Sequence, residues 1–220
     1  MIAIDGPAGS GKSTTARTVA QQLGFQFLDT GAMYRALTWH AICHKIDPGD
    51  SEQLTRIAEK MVLRFEARDD INHVFLNDSE VTEQIRYPEV TLHVSEVSAH
   101  KGVRSAMVAK QQEIGRKASI VAEGRDTTTV VFPNAALKVY LDASVEVRAM
   151  RRLKELSEKG IESTLEAQMA DIERRDHFDS NREHSPLTRS EDSEVIDTSN
   201  LSIEGQVAQI VRLAKSSGLA

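Results

Sequence analysis

Short apolar runs alternate with amphipathic stretches along most of the chain, and this alternation predicts an α/β fold. The apolar runs are bounded by turn or charged residues, which is typical of strands buried in a parallel sheet. They lie at residues 1–4, 25–28, 119–122, 136–141 and 194–198. Because helical periodicity fills most of the intervals, we expect βαβ connections and a right-handed, five-stranded parallel sheet flanked by helices.

Residues 46–93 follow a different pattern. A short helix at 51–60 precedes two segments, 62–66 and 73–77, in which apolar and polar residues alternate. Such alternation indicates strands that are exposed on one face, so we predict a small antiparallel sheet with a third strand near 80–82. An insertion of this kind could close over a substrate or be a purely structural embellishment, and the pattern leaves both interpretations open.

Two helices are expected to begin at residues with capping side chains. Thr30 should cap the helix after the second strand. Asp142 and Ser144 should cap the helix after the fourth strand, which continues to about Lys159. For Asp142 we expect a capping role and no more.

Two helical segments carry groups of polar residues, and the spacing of these residues does not decide what they do. A helix over 90–116, broken near 100–102, has polar side chains that most simply form a solvent-exposed face: Ser95, Ser98, Arg104 and Lys110. A helix over 163–183 places Arg175, Asp179 and Arg182 on one face. That face suits a binding site and an exposed ladder of ion pairs equally well.

Composition and charge exclude several classes of function. A formal net charge of -6 argues against a nucleic-acid or anionic-membrane surface. The single Cys43 rules out an internal disulfide and indicates a reducing compartment, and its apolar neighbours predict that it is buried. No apolar run approaches the roughly 18 residues that span a bilayer, and there is no signal-peptide pattern, so we expect a cytoplasmic protein. We also expect a monomer that binds neither nucleic acid nor membrane.

The first apolar run leads directly into a glycine-rich segment that fits the G-x-x-x-x-G-K-[ST] pattern: Gly6, Pro7, Ala8, Gly9, Ser10, Gly11, Lys12, Ser13 and Thr14. In this pattern the backbone N–H groups converge on phosphate oxygens at a helix N-terminus. Lys12 is expected to reach the β- and γ-phosphates, and Ser13 Oγ to bind Mg²⁺. The segment therefore predicts binding of a nucleoside triphosphate, without saying what is done with it.

A phosphate loop alone allows a switch GTPase, an ATP-driven machine, or a kinase for a hydroxyl or a phosphate acceptor. The sequence lacks an Asn-Lys-x-Asp segment for reading guanine, which argues against a GTPase. A hydroxyl acceptor needs a carboxylate base, whereas a phosphate acceptor is already ionised and needs several arginines. Arginines lie on elements that lead away from the expected ligand edge of the sheet: Arg35, Arg125, Arg148, Arg151, Arg152, Arg175 and Arg182. This favours a phosphate acceptor.

Three segments carry a family resemblance. They are residues 28–35 (Leu-Asp-Thr-Gly-Ala-Met-Tyr-Arg), residues 123–126 (Glu-Gly-Arg-Asp) with 131–133, and residues 174–176 (Arg-Arg-Asp) followed by Asp179 and Arg182. Together they resemble the bacterial cytidylate kinases, a branch of the nucleoside monophosphate kinases of the P-loop NTPase fold. The resemblance covers nearly the whole chain, including the predicted antiparallel insertion, and implies phosphorylation of CMP and dCMP by ATP with Mg²⁺.

The resemblance also implies roles for single residues. Arg35, Arg125 and Arg182 would hold the acceptor phosphate, and Ser95, Arg104 and Asp126 would read cytosine. Arg175 and Asp179 would hold the ribose hydroxyls. Thr30 and Tyr34 would make further contacts with the substrate. The catalytic side chains would be Lys12, Arg125, Arg152 and Arg182. Glu123 would contact the magnesium ion through water.

The resemblance further implies a division into three regions. Residues 1–30, 84–145 and 191–220 would form the core, 31–83 the monophosphate-binding region, and 146–190 a mobile helical lid. The sequence departs from the family pattern at Thr128, Phe178 and Ser180. A UMP/CMP kinase of broader base range and a non-catalytic nucleotide-binding regulator remain as alternatives.

Overall fold

The structure is a computed structural model that describes residues 1–68, 71–158 and 160–219. Its strands are β1 (Ile2–Asp5), β2 (Gln26–Asp29), β3 (Leu63–Arg68), β4 (Ile71–Leu76), β5 (Ser79–Glu80), β6 (Ile120–Gly124), β7 (Leu137–Asp142) and β8 (Glu194–Asp197). Its helices are α1 (Lys12–Leu23), α2 (Thr30–Cys43), α3 (Ser51–Lys60), α4 (Pro88–Val97), α5 (Lys101–Lys117), α6 (Val145–Glu158), α7 (Leu165–Asn181) and α8 (Ile203–Ser216). A short 3₁₀ helix (Gln84–Arg86) precedes α4, and a π-helical turn (Thr127–Val131) follows β6.

The main sheet has the strand order β2-β6-β1-β7-β8. Strand β1 lies in its centre and pairs in parallel with β6 and β7, and β7 pairs in parallel with β8. All four residues of β1 are buried, as a strand covered on both faces requires. The α/β class and the five-stranded parallel sheet flanked by helices, predicted from the apolar runs, are confirmed.

Contacts divide the chain into two units. The first unit comprises residues 1–27 and 119–220 and contains the phosphate loop. Its core forms where α1 and α8 pack on the sheet: Ile2, Ile4, Ala16, Val19, Ala20, Val121, Leu137, Val139, Leu141, Ile196, Val207, Ile210 and Ala214. Helices α6 and α7 pack against each other in the same unit. The three-region division with a mobile lid stays a prediction.

The second unit comprises residues 28–118 and contains the antiparallel sheet β3-β4-β5. This sheet is the predicted insertion, and Leu63 pairs with Leu76 in it. The predicted helix break is also present, because α4 ends at Val97 and α5 begins at Lys101. A Cβ at Gly102 would come within 2.3 Å of Thr55 Oγ1, so the glycine permits the close packing of α5 on α3.

The expected helix caps agree only in part with the structure: the Thr30 cap is wrong, whereas Ser144 caps α6 as predicted. Asp29, not Thr30, caps α2, because β2 extends to Asp29 and its carboxylate accepts a hydrogen bond from Ala32 N–H at 2.8 Å. Asp142 accepts from Ala143 N–H, ahead of α6, while Ser144 Oγ accepts from Val147 N–H at 3.3 Å. The predicted end of α6 at Lys159 lies outside the described residues.

Cys43 is exposed rather than buried. The apolar side of α2 that packs inward is formed by other positions: Ala32, Met33, Ala36, Leu37 and Ala41. Helical phase places Cys43 off that side, although its sequence neighbours are apolar. Within the described ranges, none of the helices combines the length and the apolar character needed to cross a bilayer.

Candidate functional site

The phosphate loop joins β1 to α1 in a conformation that depends on its glycines. Gly6, Gly9 and Gly11 all have positive φ values, of 152°, 75° and 92°. A Cβ at Gly6 would lie 2.0 Å from Leu141 O, and one at Gly9 would lie 3.1 Å from Arg148 Cβ. Side chains at these positions would therefore be strained or would collide with the backbone of β7 and the start of α6.

Lys12 is folded back into this loop. Its Nζ donates to Pro7 O at 2.7 Å and lies 3.4 Å from Ser10 Oγ, and the residue is only 5% exposed. Burial, reinforced by the nearby Arg125 guanidinium, lowers the pKa of Lys12 to about 7. Burial thus disfavours the charged form of the amine, and a polyphosphate beside it would favour that form.

Ser13 and Glu123 form an oxygen-rich pair beside the loop. Ser13 Oγ donates to Glu123 Oε1 at 2.6 Å, and Glu123, at the carboxyl end of β6, is buried. A hydroxyl and a carboxylate are hard oxygen ligands of the type that Mg²⁺ prefers. The residues present therefore fit the magnesium ion expected from the sequence.

Asp5 is a buried carboxylate at the end of β1 that the sequence analysis did not single out. It accepts four hydrogen bonds, from the backbone N–H and the hydroxyl of both Thr127 and Thr128, at 2.5–2.9 Å. Burial raises the pKa of Asp5, while these hydrogen bonds oppose the shift. The contacts fix the turn that follows Asp126, and the Thr128 hydroxyl takes part in them.

A second cluster of charges joins the segment after β6 to the end of α7. Arg125 Nε donates to Asp179 Oδ2 at 2.9 Å. Arg182 lies 3.8 Å from Asp179 and 3.9 Å from Asp126, and its Nε donates to Ser185 O at 2.6 Å. The side chains of Arg182 and Asp179 are 4% and 9% exposed, so an exposed ladder of ion pairs does not describe this face.

Around Arg175, this cluster carries more positive charge than its carboxylates neutralise. Burial is the main cause that lowers the pKa of Arg175, and the positive charges of Arg125 and Arg152 lower it further. The Arg175 Nε is buried without a hydrogen-bond partner among the described residues. Arg152 itself pairs with Glu155 on α6 at 2.9 Å and is partly exposed. The arrangement favours an additional anion or hydrogen-bond acceptor near Arg175.

The second unit contains its own polar cluster around the start of α2. Asp29 pairs with Arg86 at 2.6 Å, and this arginine overcomes the effect of burial to lower the pKa of Asp29. Arg35 donates to Thr91 Oγ1 at 3.0 Å. Thr30 is buried at the first position of α2. The sequence analysis missed Arg86 and Thr91, which are far from Asp29 and Arg35 along the chain and have no distinguishing pattern.

Arg104 lies inside the same unit. Its guanidinium is 5.2 Å from the Tyr34 ring centroid and donates to Ser98 O at 2.9 Å, while Ser98 Oγ donates to Ser95 O. Arg104 is 3% and Ser98 8% exposed, so the solvent-exposed face expected from spacing is wrong for both. An arginine held over an aromatic ring is pre-oriented as a donor.

Comparisons with known proteins decide the family. The sequence model of the cytidylate kinase family matches residues 2–216. The chain belongs to the cytidylate kinase family. A cytidylate kinase from Enterococcus faecalis is 49% identical over 217 residues, covering 99% of this chain and 96% of that protein. One from Halalkalibacterium halodurans is 46% identical over 214 residues, covering 97% and 96%.

A crystal structure of an uncharacterized protein from Eubacterium ventriosum matches with a TM-score of 0.54 at 12% identity and covers 98% of this chain and 97% of that chain. At this identity the match concerns the fold alone. The membership in the cytidylate kinase family confirms the resemblance drawn from residues 28–35, 123–126 and 174–182.

Proposed function

We propose that this member of the cytidylate kinase family transfers the γ-phosphoryl group of ATP to CMP and dCMP, giving ADP and CDP or dCDP. The observation that carries the proposal is the pairing of a phosphate loop with a buried arginine cluster in one unit, at Lys12 and at Arg125, Arg175 and Arg182. A protein that only bound a nucleoside triphosphate would have no use for the second cluster.

The loop accounts for the donor side. We infer that residues 6–14 bind the ATP phosphates, and that Lys12 becomes fully charged as they enter. Ser13, with Glu123 through water, would hold Mg²⁺, which when bound neutralises charge on the phosphates. These assignments rest on the burial of Lys12 and on the hydrogen bond between Ser13 and Glu123.

The arginines account for the acceptor side. Arg35, Arg125 and Arg182 are proposed to bind the CMP phosphate, with Arg152 adding positive charge during transfer. A phosphate acceptor is already ionised, so this reaction needs positioning and charge stabilisation rather than a strong base. The contacts of Arg125 and Arg182 with Asp179 hold both guanidiniums in place.

The remaining assignments concern the nucleoside. Asp126 is proposed to accept a hydrogen bond from the cytosine N4 amino group. Arg104, with Ser95, is proposed to donate a hydrogen bond to N3 or O2. Arg175 and Asp179 would bind the ribose hydroxyls, with Thr30 and Tyr34 completing the substrate contacts. Uracil would place O4, an acceptor, against the Asp126 carboxylate, which disfavours UMP.

The test incubates the protein with ATP and Mg²⁺ and each common nucleoside monophosphate in turn, and measures ADP. ADP formed with CMP and dCMP, and far less with UMP, AMP or GMP, is the expected result. Equal rates with UMP would favour the broader UMP/CMP kinase. No ADP above background with any acceptor would contradict the proposal and leave a nucleotide-binding regulator. A monomeric state and a cytoplasmic location stay predictions from the sequence.

A further inference from the structure

The phosphate loop of this chain is hydrogen-bonded to a carboxylate from another helix. Ala8 N–H donates to Asp176 Oδ1 of α7 at 3.1 Å. The other oxygen, Asp176 Oδ2, accepts from Arg148 NH1 of α6 at 2.6 Å, and the same NH1 donates to Ala8 O at 2.9 Å. Both the N–H and the C=O of Ala8 are therefore hydrogen-bonded. Ala8, Asp176 and Arg148 together form a closed ring of hydrogen bonds.

The negative charge of Asp176 affects two cationic side chains. It acts to raise the pKa of Lys12 and of Arg125, as the smallest of the named contributions to each. These are the side chains that the ATP and CMP phosphates are proposed to contact. Asp176 therefore supplies negative charge to the same region that polyphosphate would occupy.

Arg148 fixes the carboxylate there. It is 4% exposed, its Nε donates to Ala143 O at 2.9 Å, and its Cβ lies against Gly9. The Asp176 side chain, by contrast, is 20% exposed and lies on the partly exposed side of α7. Because Arg148 is buried and Asp176 is more exposed, the Asp176 carboxylate can give up its contacts while Arg148 remains in place.

We propose that Asp176 is a positioning residue that serves as an internal anion for the phosphate loop. It satisfies Ala8 N–H and balances the surrounding positive charge when no nucleotide is bound. The phosphates of ATP compete with it for that charge, so Asp176 weakens the binding of ATP and ADP. This inference rests on the proposed function only in so far as the loop binds ATP.

The test compares Asp176→Asn with wild type by calorimetry, using ATP and inorganic tripolyphosphate separately, without acceptor. We expect both ligands to bind about 5- to 10-fold more tightly, because a competing charge near the phosphates is removed. The Kd for CMP and the kcat with saturating substrates should change much less than the KM for ATP. The matched control is Asp171→Asn, which removes the same charge from the exposed part of α7, where Asp171 pairs with Arg174.

Unchanged or weaker binding of ATP and tripolyphosphate to a folded Asp176→Asn variant would overturn the proposal and indicate a purely structural anchor. Equal tightening in Asp171→Asn would also overturn it, since net charge would then be the cause. Asp176→Ser, which removes the charge and also shortens the side chain that contacts Arg148, provides a second variant with the same expected tightening. Failure of the wild type to bind ATP at all would instead contradict the proposed kinase function.

Discussion

Charged residues are abundant both at the carboxyl ends of β1 and β6 and in the antiparallel sheet β3-β4-β5, but the two regions use them differently. At the strand ends, Asp5, Lys12 and Glu123 are buried and each is hydrogen-bonded to named partners. In the antiparallel sheet, Glu66 pairs with Arg64 and Arg68, whose side chains are 51% and 57% exposed. The first region holds charge at a desolvation cost, and the second keeps it in water.

The difference indicates where charge serves chemistry. Buried charges cost free energy unless their partners are in place, so a chain that buries several at one sheet edge does so for a ligand that needs them. Exposed pairs contribute about 0–1 kcal/mol and mainly keep a sheet soluble and its edge unreactive. Four predictions test this contrast, from the largest expected effect to the smallest.

Replacing Lys12 should have the largest effect on activity. Lys12→Ala is expected to lower kcat about 100- to 1,000-fold, because a charge that stabilises phosphoryl transfer is lost. The Kd for CMP should stay within about threefold, since the side chain acts on the transferred group rather than on the acceptor. Steady-state kinetics and CMP calorimetry check both values. Loss of CMP affinity with unchanged turnover would contradict the role assigned to Lys12.

Replacing Asp5 should have the largest effect on stability. Asp5→Ala leaves the backbone N–H groups of Thr127 and Thr128 without their acceptor in a buried site, at a cost of about 3 kcal/mol in the free energy of unfolding. That corresponds to a fall of about 6–12 °C in Tm for a chain of this size. Thermal unfolding followed by circular dichroism measures it. A Tm within 2 °C or so of wild type would show that the Thr127–Thr128 turn does not depend on Asp5.

The buried amine of Lys12 should make stability depend on pH. Its pKa is about 7 in the folded protein and 10.5 ordinarily, so the unfolded chain binds more protons between these values. The free energy of unfolding should therefore rise with pH in this window, by up to roughly 1.4 kcal/mol per unit. Lys12→Met lacks this contribution, and its stability relative to wild type should fall as pH rises from 7 to 9. Denaturant unfolding at three pH values tests this, and a constant difference would contradict the depressed pKa.

Replacing Glu66 in the antiparallel sheet should have the smallest effect. Glu66→Ala removes two exposed ion pairs, and we expect the free energy of unfolding to change by less than about 1 kcal/mol. The kcat with CMP should remain at the wild-type value. A loss comparable to that of Asp5→Ala would remove the distinction between the two regions.

The sequence predicted the main sheet and the phosphate loop because both depend on local patterns. Apolar runs and the spacing of Gly6, Gly11 and Lys12 are visible without tertiary information. The antiparallel sheet was also predictable, since alternation marks strands with one exposed face. The boundaries of the strands shifted by one or two residues, as with β2, whose extension to Asp29 moved the cap of α2 from Thr30.

What the sequence did not predict depends on contacts between distant residues. Asp5 and Thr127 are 122 positions apart, and Ala8 and Asp176 are 168 apart. A charged residue ending an apolar strand was a usable signal for Asp5, whereas no local pattern around Asp176 indicates its contact with Ala8. Cys43 was mispredicted because the composition of its neighbours was weighed above the helical phase of α2.

The most direct test of the central claim, that the polar residues following β6 select CMP, compares CMP with UMP in two proteins. Wild type should prefer CMP by about 10- to 100-fold in kcat/KM, because uracil O4 would face the buried Asp126 carboxylate without a proton between them. Asp126→Ala should lose more activity towards CMP than towards UMP, so the ratio should shrink towards one. If Asp126 only pairs with Arg182, both substrates should fall by the same factor, and an unchanged CMP-to-UMP ratio would contradict the account.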